Sequence, residues 1–94
     1  MFQEKIDNFF NEMQAKGYVA KQDFKCCNKC AWTALEKYDK FIFYHEQDTE
    51  SIERGLLYIG WKGDGELIKQ TAINCHLNVD WDGDEMIKIL LLEE

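Results

Sequence analysis

The chain has 94 residues, of which 46% are hydrophobic, 14% aromatic and 31% charged, with four cysteines, no proline and a formal net charge of −7. That length makes one domain, residues 1–94, with a single hydrophobic core, and the acidic balance argues against a nucleic-acid binder, which needs a basic face. No unbroken apolar stretch suits a membrane span or a signal peptide, and acids and amides interrupt the apolar residues of Met1–Met13, so a cytoplasmic protein with reduced thiols is expected.

Phe2, Ile6, Phe9, Phe10 and Met13 recur on one face of a 3.6-residue period, which predicts a helix over 2–16. Gly17 stops it, and Tyr18-Val19-Ala20 reads as a short extended run. Ala31, Leu35 and Tyr38 mark a second, shorter helix with Asn28 as its expected cap. Cys26 and Cys27 then lie just before that helix and Cys30 in its first turn.

Phe41–His45 is aromatic and β-branched and reads as a strand buried on both faces. A polar loop follows, where Asp48 or Thr49 is expected to cap a brief helical turn ending at Gly55. Leu56–Trp61 predicts a second apolar strand. Leu67, Ile68, Thr71, Ala72 and Cys75 follow helical spacing, with Asp64 as the expected cap and Asn78 as the left-handed residue that ends the helix. Leu77–Trp81 and Met86–Leu92 read as strands joined at the Asp82-Gly83 hairpin signal. The second is fully apolar apart from Lys88, which predicts an interior place in the sheet.

The fold class expected is α+β: a single domain with a mixed sheet of about four strands and a C-terminal antiparallel hairpin, packed against helices. The segment from 56 to 81 has room for a right-handed parallel crossover.

Charge is spread unevenly. Residues 1–25 are neutral and 26–40 carry +1, while 41–94 set three Lys and one Arg against twelve acids, net −8. A solvated surface explains that half, and a docking face for a basic protein partner is the sharper reading.

Three of the four cysteines fall within Cys26-Cys27-Asn28-Lys29-Cys30. Cys27-x-x-Cys30 suits joint chelation of one ion, with Cys26 able to replace either sulfur, and the cofactor this spacing points to is zinc. Four ligands are needed, and His45, Cys75 and His76 are the remaining sulfur or imidazole donors. His45, where a buried strand emerges into a loop, is the nominated fourth, giving Cys26, Cys27, Cys30 and His45 as the metal set. Glu46 and Asp48 stand where they could orient its ring.

Other readings stay open. The cysteines could simply pack a helix start, since free thiols are often buried. A helix N-terminus also favours a thiolate, so Cys27 or Cys30 could serve as a nucleophile with His45 as base. Thioredoxin-type chemistry is disfavoured, because the motif does not follow the first strand of a βαβ unit and the chain lacks the cis-proline of such folds. Counting from Asp80, an EF-hand would place its required Gly and Glu at Glu85 and Leu91, and the glycines at 60, 63 and 65 lack a Lys-Ser/Thr ending, so neither motif is present.

Taken together, FKCCNKC, FIFYHEQDT, the Gly55–Tyr58 strand and Val79-x-Trp81-Asp82-Gly83 resemble a family of uncharacterised bacterial proteins grouped as a domain of unknown function. Its members share a CCxxC segment, a Y/F-H-x-Q-D-T segment and a terminal W-D-G. The resemblance runs from about residue 17 onward and implies a common fold and a common site at Cys26, Cys27, Cys30 and His45–Thr49. It implies no activity. The function expected is a non-enzymatic binding or accessory domain with a Cys/His site for zinc. The alternatives are a thiol-dependent enzyme and an acidic immunity- or antitoxin-like protein.

Overall fold

A computed structural model describes residues 1–84 and 88–93, with Asn28 described by its backbone. The chain runs α1 (Phe2–Ala15), β1 (Val19–Lys21), α2 (Asn28–Leu35), β2 (Phe41–Phe43), a 3-10 turn (Glu46–Asp48), α3 (Thr49–Glu53), β3 (Leu56–Lys62), α4 (Gly65–Asn74), β4 (Asn78–Asp80) and β5 (Ile89–Leu92). The fold is α+β, as the sequence predicts. The sheet has five strands rather than four, because the short run after Gly17 pairs in parallel with β2, Val19 opposite Phe41 and Lys21 opposite Phe43.

Strand order is β1-β2-β3-β5-β4. β3 is antiparallel to β2 and to β5, and β5 is antiparallel to β4. The apolar β5 is therefore interior, as its composition predicts. The β3–α4–β4 crossover does connect parallel strands, but they are not neighbours, since β5 fills the gap between them. The C-terminal antiparallel hairpin is present, β4 pairing with β5. Its last ladder pair is Asp80 with Leu90, and Gly83 (φ +95°) lies within the connection. Of the strand expected over Met86–Leu92, Met86 and Ile87 lie outside the described residues.

Strand alternation sends side chains to two separate cores. On one face the α1 stripe (Phe2, Ile6, Phe9, Phe10, Met13) and the α4 residues Ile68 and Ala72 pack against Ile42, Tyr44, Leu57, Ile59, Trp61, Ile89 and Leu91. On the other face α2 lays Ala31 and Leu35 on Phe41 and Phe43, with Val19, Phe24 and Trp32 half-buried around them. Trp32 meets Phe41 and Phe43 edge-on at 4.9 and 6.0 Å. Phe43 also lies over Gly60, its cross-strand partner, where any side chain would collide with the ring. Tyr58, further along β3, is 45% exposed, so that strand is less enclosed than its composition implies.

The helix ends follow local chemistry. Asp64 caps α4, its Oδ1 accepting from the Glu66 and Leu67 amides at 3.1 and 3.2 Å. α1 ends in a Schellman motif: the Tyr18 amide donates to Met13 and the Gly17 amide to Gln14, with Gly17 at φ +93°. α4 ends the same way, the Leu77 amide donating to Ala72 and the His76 amide to Ile73. Here the left-handed residue is His76 (φ +65°), not Asn78, which opens β4. The motif places that residue two after the last helical position, and Cys75 is already the cap.

Among the described residues no helix is long and apolar enough to cross a membrane.

Candidate metal centre

The cysteine segment is the bridge between β1 and α2. After β1 the chain turns through two left-handed non-glycine residues, Asp23 (φ +50°) and Lys25 (φ +66°), a conformation that costs free energy and needs outside support. The segment beyond β2 supplies it. The Phe24 amide donates to the Tyr44 carbonyl at 2.8 Å, the Glu46 amide donates to the Lys25 carbonyl at 3.1 Å, and the Thr49 hydroxyl donates to Asp23 at 3.0 Å. The backbone entering the cysteines is thereby fixed beside the backbone on either side of His45.

Cys27 then takes an extended conformation (φ −157°, ψ 170°) and is the residue before α2, a place the sequence gives to Asn28. Asn28 is instead the first helical residue. Cys26 and Cys27 still precede the helix and Cys30 still sits in its first turn, so the three sulfurs converge. All lie within 4.8 Å of one another, and Cys26 Sγ is 3.6 Å from Cys30 Sγ. Cys26 and Cys30 are exposed and Cys27 is half-buried, which sets aside the reading of thiols packed into a core.

The thiols differ. The Cys30 amide, followed by the Cys30 side chain, pulls the Cys27 thiol below its ordinary pKa. This is the pull of free helix N-terminal amides on a sulfur, although no contact to the Cys27 side chain reaches full capping geometry. Cys30 is pushed up to about 11, first by its hydrogen bond with Cys27, then by that with Cys26 and by the charge of both. Cys27 and Cys30 are thus displaced in opposite directions, as two thiols sharing one small volume are.

A shallow cleft of about 630 Å³ opens beside two of the three cysteines, lined by Lys25, Cys26, Lys29, Cys30, Thr33 and Ala34. Lys25 also rests its ammonium 5.3 Å from the Phe24 ring, and the Thr33 hydroxyl donates to the Lys29 carbonyl at 2.9 Å. Neither lysine is singled out by the motif. Their spacing of four along the chain is the one signal that places both beside Cys26 and Cys30.

His45 does not belong to the group of converging donors. It is 6% exposed, and its Nε2 lies 3.3 Å from Asp48 Oδ2. That approach falls short of hydrogen-bond alignment, and Nδ1 has no hydrogen-bond partner among the described residues. Asp48 stands at the cap position of α3 and yet makes no capping bond with its side chain. The 3-10 turn explains this, because residues three apart eclipse one another in that geometry and the carboxylate is carried over the imidazole. Cys75 and His76 end α4, Cys75 half-buried against the core on the opposite face of the sheet and its thiol raised chiefly by that burial. The sequence correctly brings the three cysteines together, and the structure assigns the two other candidate donors on α4 to a helix end.

Three thiols at this spacing can bind a metal. Zinc–sulfur bonds of about 2.3 Å place tetrahedral sulfurs about 3.8 Å apart, so the Cys26–Cys30 separation needs little adjustment.

No curated protein and no solved structure matches this chain. A family model described as "Domain of unknown function (DUF6891)" matches residues 3–93, taking in α1 as well as the segments after Gly17. The chain belongs to that family.

Proposed function

We propose that this is a small non-enzymatic accessory domain that holds one zinc ion on the thiolates of Cys26, Cys27 and Cys30. One observation carries the reading: three sulfurs, presented by one loop and one helical turn, stand within 4.8 Å of one another, as a shared ion requires. His45, the fourth residue of the nominated set, has its imidazole beside Asp48 and joins the ion only by turning away from it. The backbone on either side of His45, at Tyr44 and Glu46, bonds the loop that carries Lys25. Protein purified under reducing conditions without chelator should carry about one zinc per chain by elemental analysis. Cys27→Ser and Cys30→Ser should each lower that content sharply. Metal-free protein that also fails to take up added zinc would refute the proposal.

A second reading, thiol chemistry at Cys27, draws on that thiol's lowered pKa. The base this reading calls for, His45, lies outside the group of converging donors.

A further inference from the structure

An ion on three cysteines of this chain still wants a fourth donor, and the site is built so that this donor arrives from solvent. Among the described residues the converging group contains sulfur from Cys26, Cys27 and Cys30 and nothing else. Structural zinc sites close with four protein ligands, whereas three ligands and an open position mark sites that exchange something. Here the open side is a shallow, wide-mouthed cleft of about 630 Å³ beside Cys26 and Cys30.

The walls say which kind. The chain as a whole is net −7, yet the cleft is lined by Lys25 and Lys29 and by no carboxylate. Thr33 and Ala34 form the rest of its lining and leave room beside Cys26 and Cys30. Two lysine side chains that line the cleft together with Cys26 and Cys30 favour a ligand with a soft donor atom and a negative charge of its own.

We infer that the fourth coordination position at the Cys26–Cys27–Cys30 site is filled by the thiolate of a small carboxylate-bearing thiol, which Lys25 and Lys29 orient by its charge. This inference rests on the metal reading of the same cysteines. Binding is a ligand exchange: the metal–water bond breaks, a metal–sulfur bond forms, and the incoming thiol releases its proton to solvent. Nothing is oxidised or reduced.

The experiment uses the full chain loaded anaerobically with cobalt(II) in place of zinc, with a phosphine as the reductant so that no free thiol competes. Sulfur-to-cobalt charge-transfer absorption reports the number of thiolates on the ion. Adding 2-mercaptoacetate should raise it by about one third as three sulfurs become four, with cobalt remaining protein-bound through gel filtration. At low salt, 2-mercaptoacetate should half-saturate at a concentration at least about threefold below that of neutral 2-mercaptoethanol, a preference that shrinks with added salt. The Lys25→Gln/Lys29→Gln double variant should bind cobalt as the parent does and lose the preference.

The inference is overturned if the cobalt spectrum does not respond to either thiol, or if the thiols strip the ion from the protein. It is also overturned if the parent is silent while His45→Ala responds, because His45 then closes the site from within. In all three results the metal site itself survives. Failure of the chain to bind cobalt or zinc at all removes the metal reading together with the inference.

Discussion

Gly60 sits opposite Phe43 in the β2–β3 ladder, and the Phe43 ring occupies the space a side chain would need. An alanine Cβ built there overlaps Cζ and Cε1 of that ring and stands 3.1 Å from Cε2. The ring cannot retreat freely. It is fully buried, tilted against Phe41 at a centroid distance of 6.0 Å and met edge-on by Trp32 at 6.0 Å, with Ala31 and Leu35 of α2 above it. Overpacking of this kind costs about 1–3 kcal/mol, partly offset by about 0.5–1 kcal/mol from the lower chain entropy of alanine. Gly60→Ala is therefore expected to lose about 1–2 kcal/mol, which for a domain of this size lowers the thermal midpoint by roughly 5–15 °C. Urea unfolding followed by tryptophan fluorescence measures it. Phe43→Leu should be destabilising alone, by a cavity, and should be better tolerated in the Gly60→Ala background. A double-mutant cycle thus carries a favourable coupling of about 1 kcal/mol. Because Phe43 is what α2 rests on, the single variant should also weaken metal uptake by the cysteines. A Gly60→Ala protein within about 0.5 kcal/mol of the parent, or strict additivity with Phe43→Leu, would refute this packing argument.

Initial iodoacetamide labelling near pH 8 should modify Cys27 at least about tenfold faster than Cys30, because the thiolate reacts and the two pKa values are displaced in opposite directions. Peptide mass spectrometry reads the order, and Cys30 labelling should keep accelerating beyond pH 10; Cys30 labelled first would contradict the assignment. Metal affinity should climb with pH over the same range, since each bound thiolate must first lose its proton, and a pH-independent affinity would show that fewer thiols bind. Asp64→Ala removes the α4 cap and should cost about 1 kcal/mol in denaturant unfolding. His76→Gly should stabilise by about 0.5–1 kcal/mol while leaving metal content unchanged, since a left-handed position without a ligand role favours glycine.

The elements were legible where one local rule decided them. The α1 stripe, the Asp64 cap and the apolar β5 each follow from spacing or from a single side chain, and the structure keeps all three. What depended on partners was not legible. Nothing in β3 or β4 says that β5 will enter between them, because strand order is fixed by which faces find cover and not by either strand's own pattern. Asp48 has the composition of a cap, and only the 3-10 turn, a choice between hydrogen-bonding three or four residues back, carries it to His45 instead. At the site, the close spacing of Cys26, Cys27 and Cys30 foretold their convergence. The distance from His45 ran through tertiary structure and could not be read from the chain.

The division of the interior into two cores bears on how this protein breathes. Among the described residues, sixteen buried ones form the larger cluster and four form the one that joins α2 to the sheet. α2 can then detach in a sub-global opening that leaves the main cluster intact, at a free energy well below that of global unfolding. Amides of Cys30 through Leu35 should exchange with solvent deuterium ahead of those in β3 and β5. An ion gripped by Cys26, Cys27 and Cys30 would latch that opening shut, since Cys30 belongs to the moving helix and Cys26 to the anchored loop.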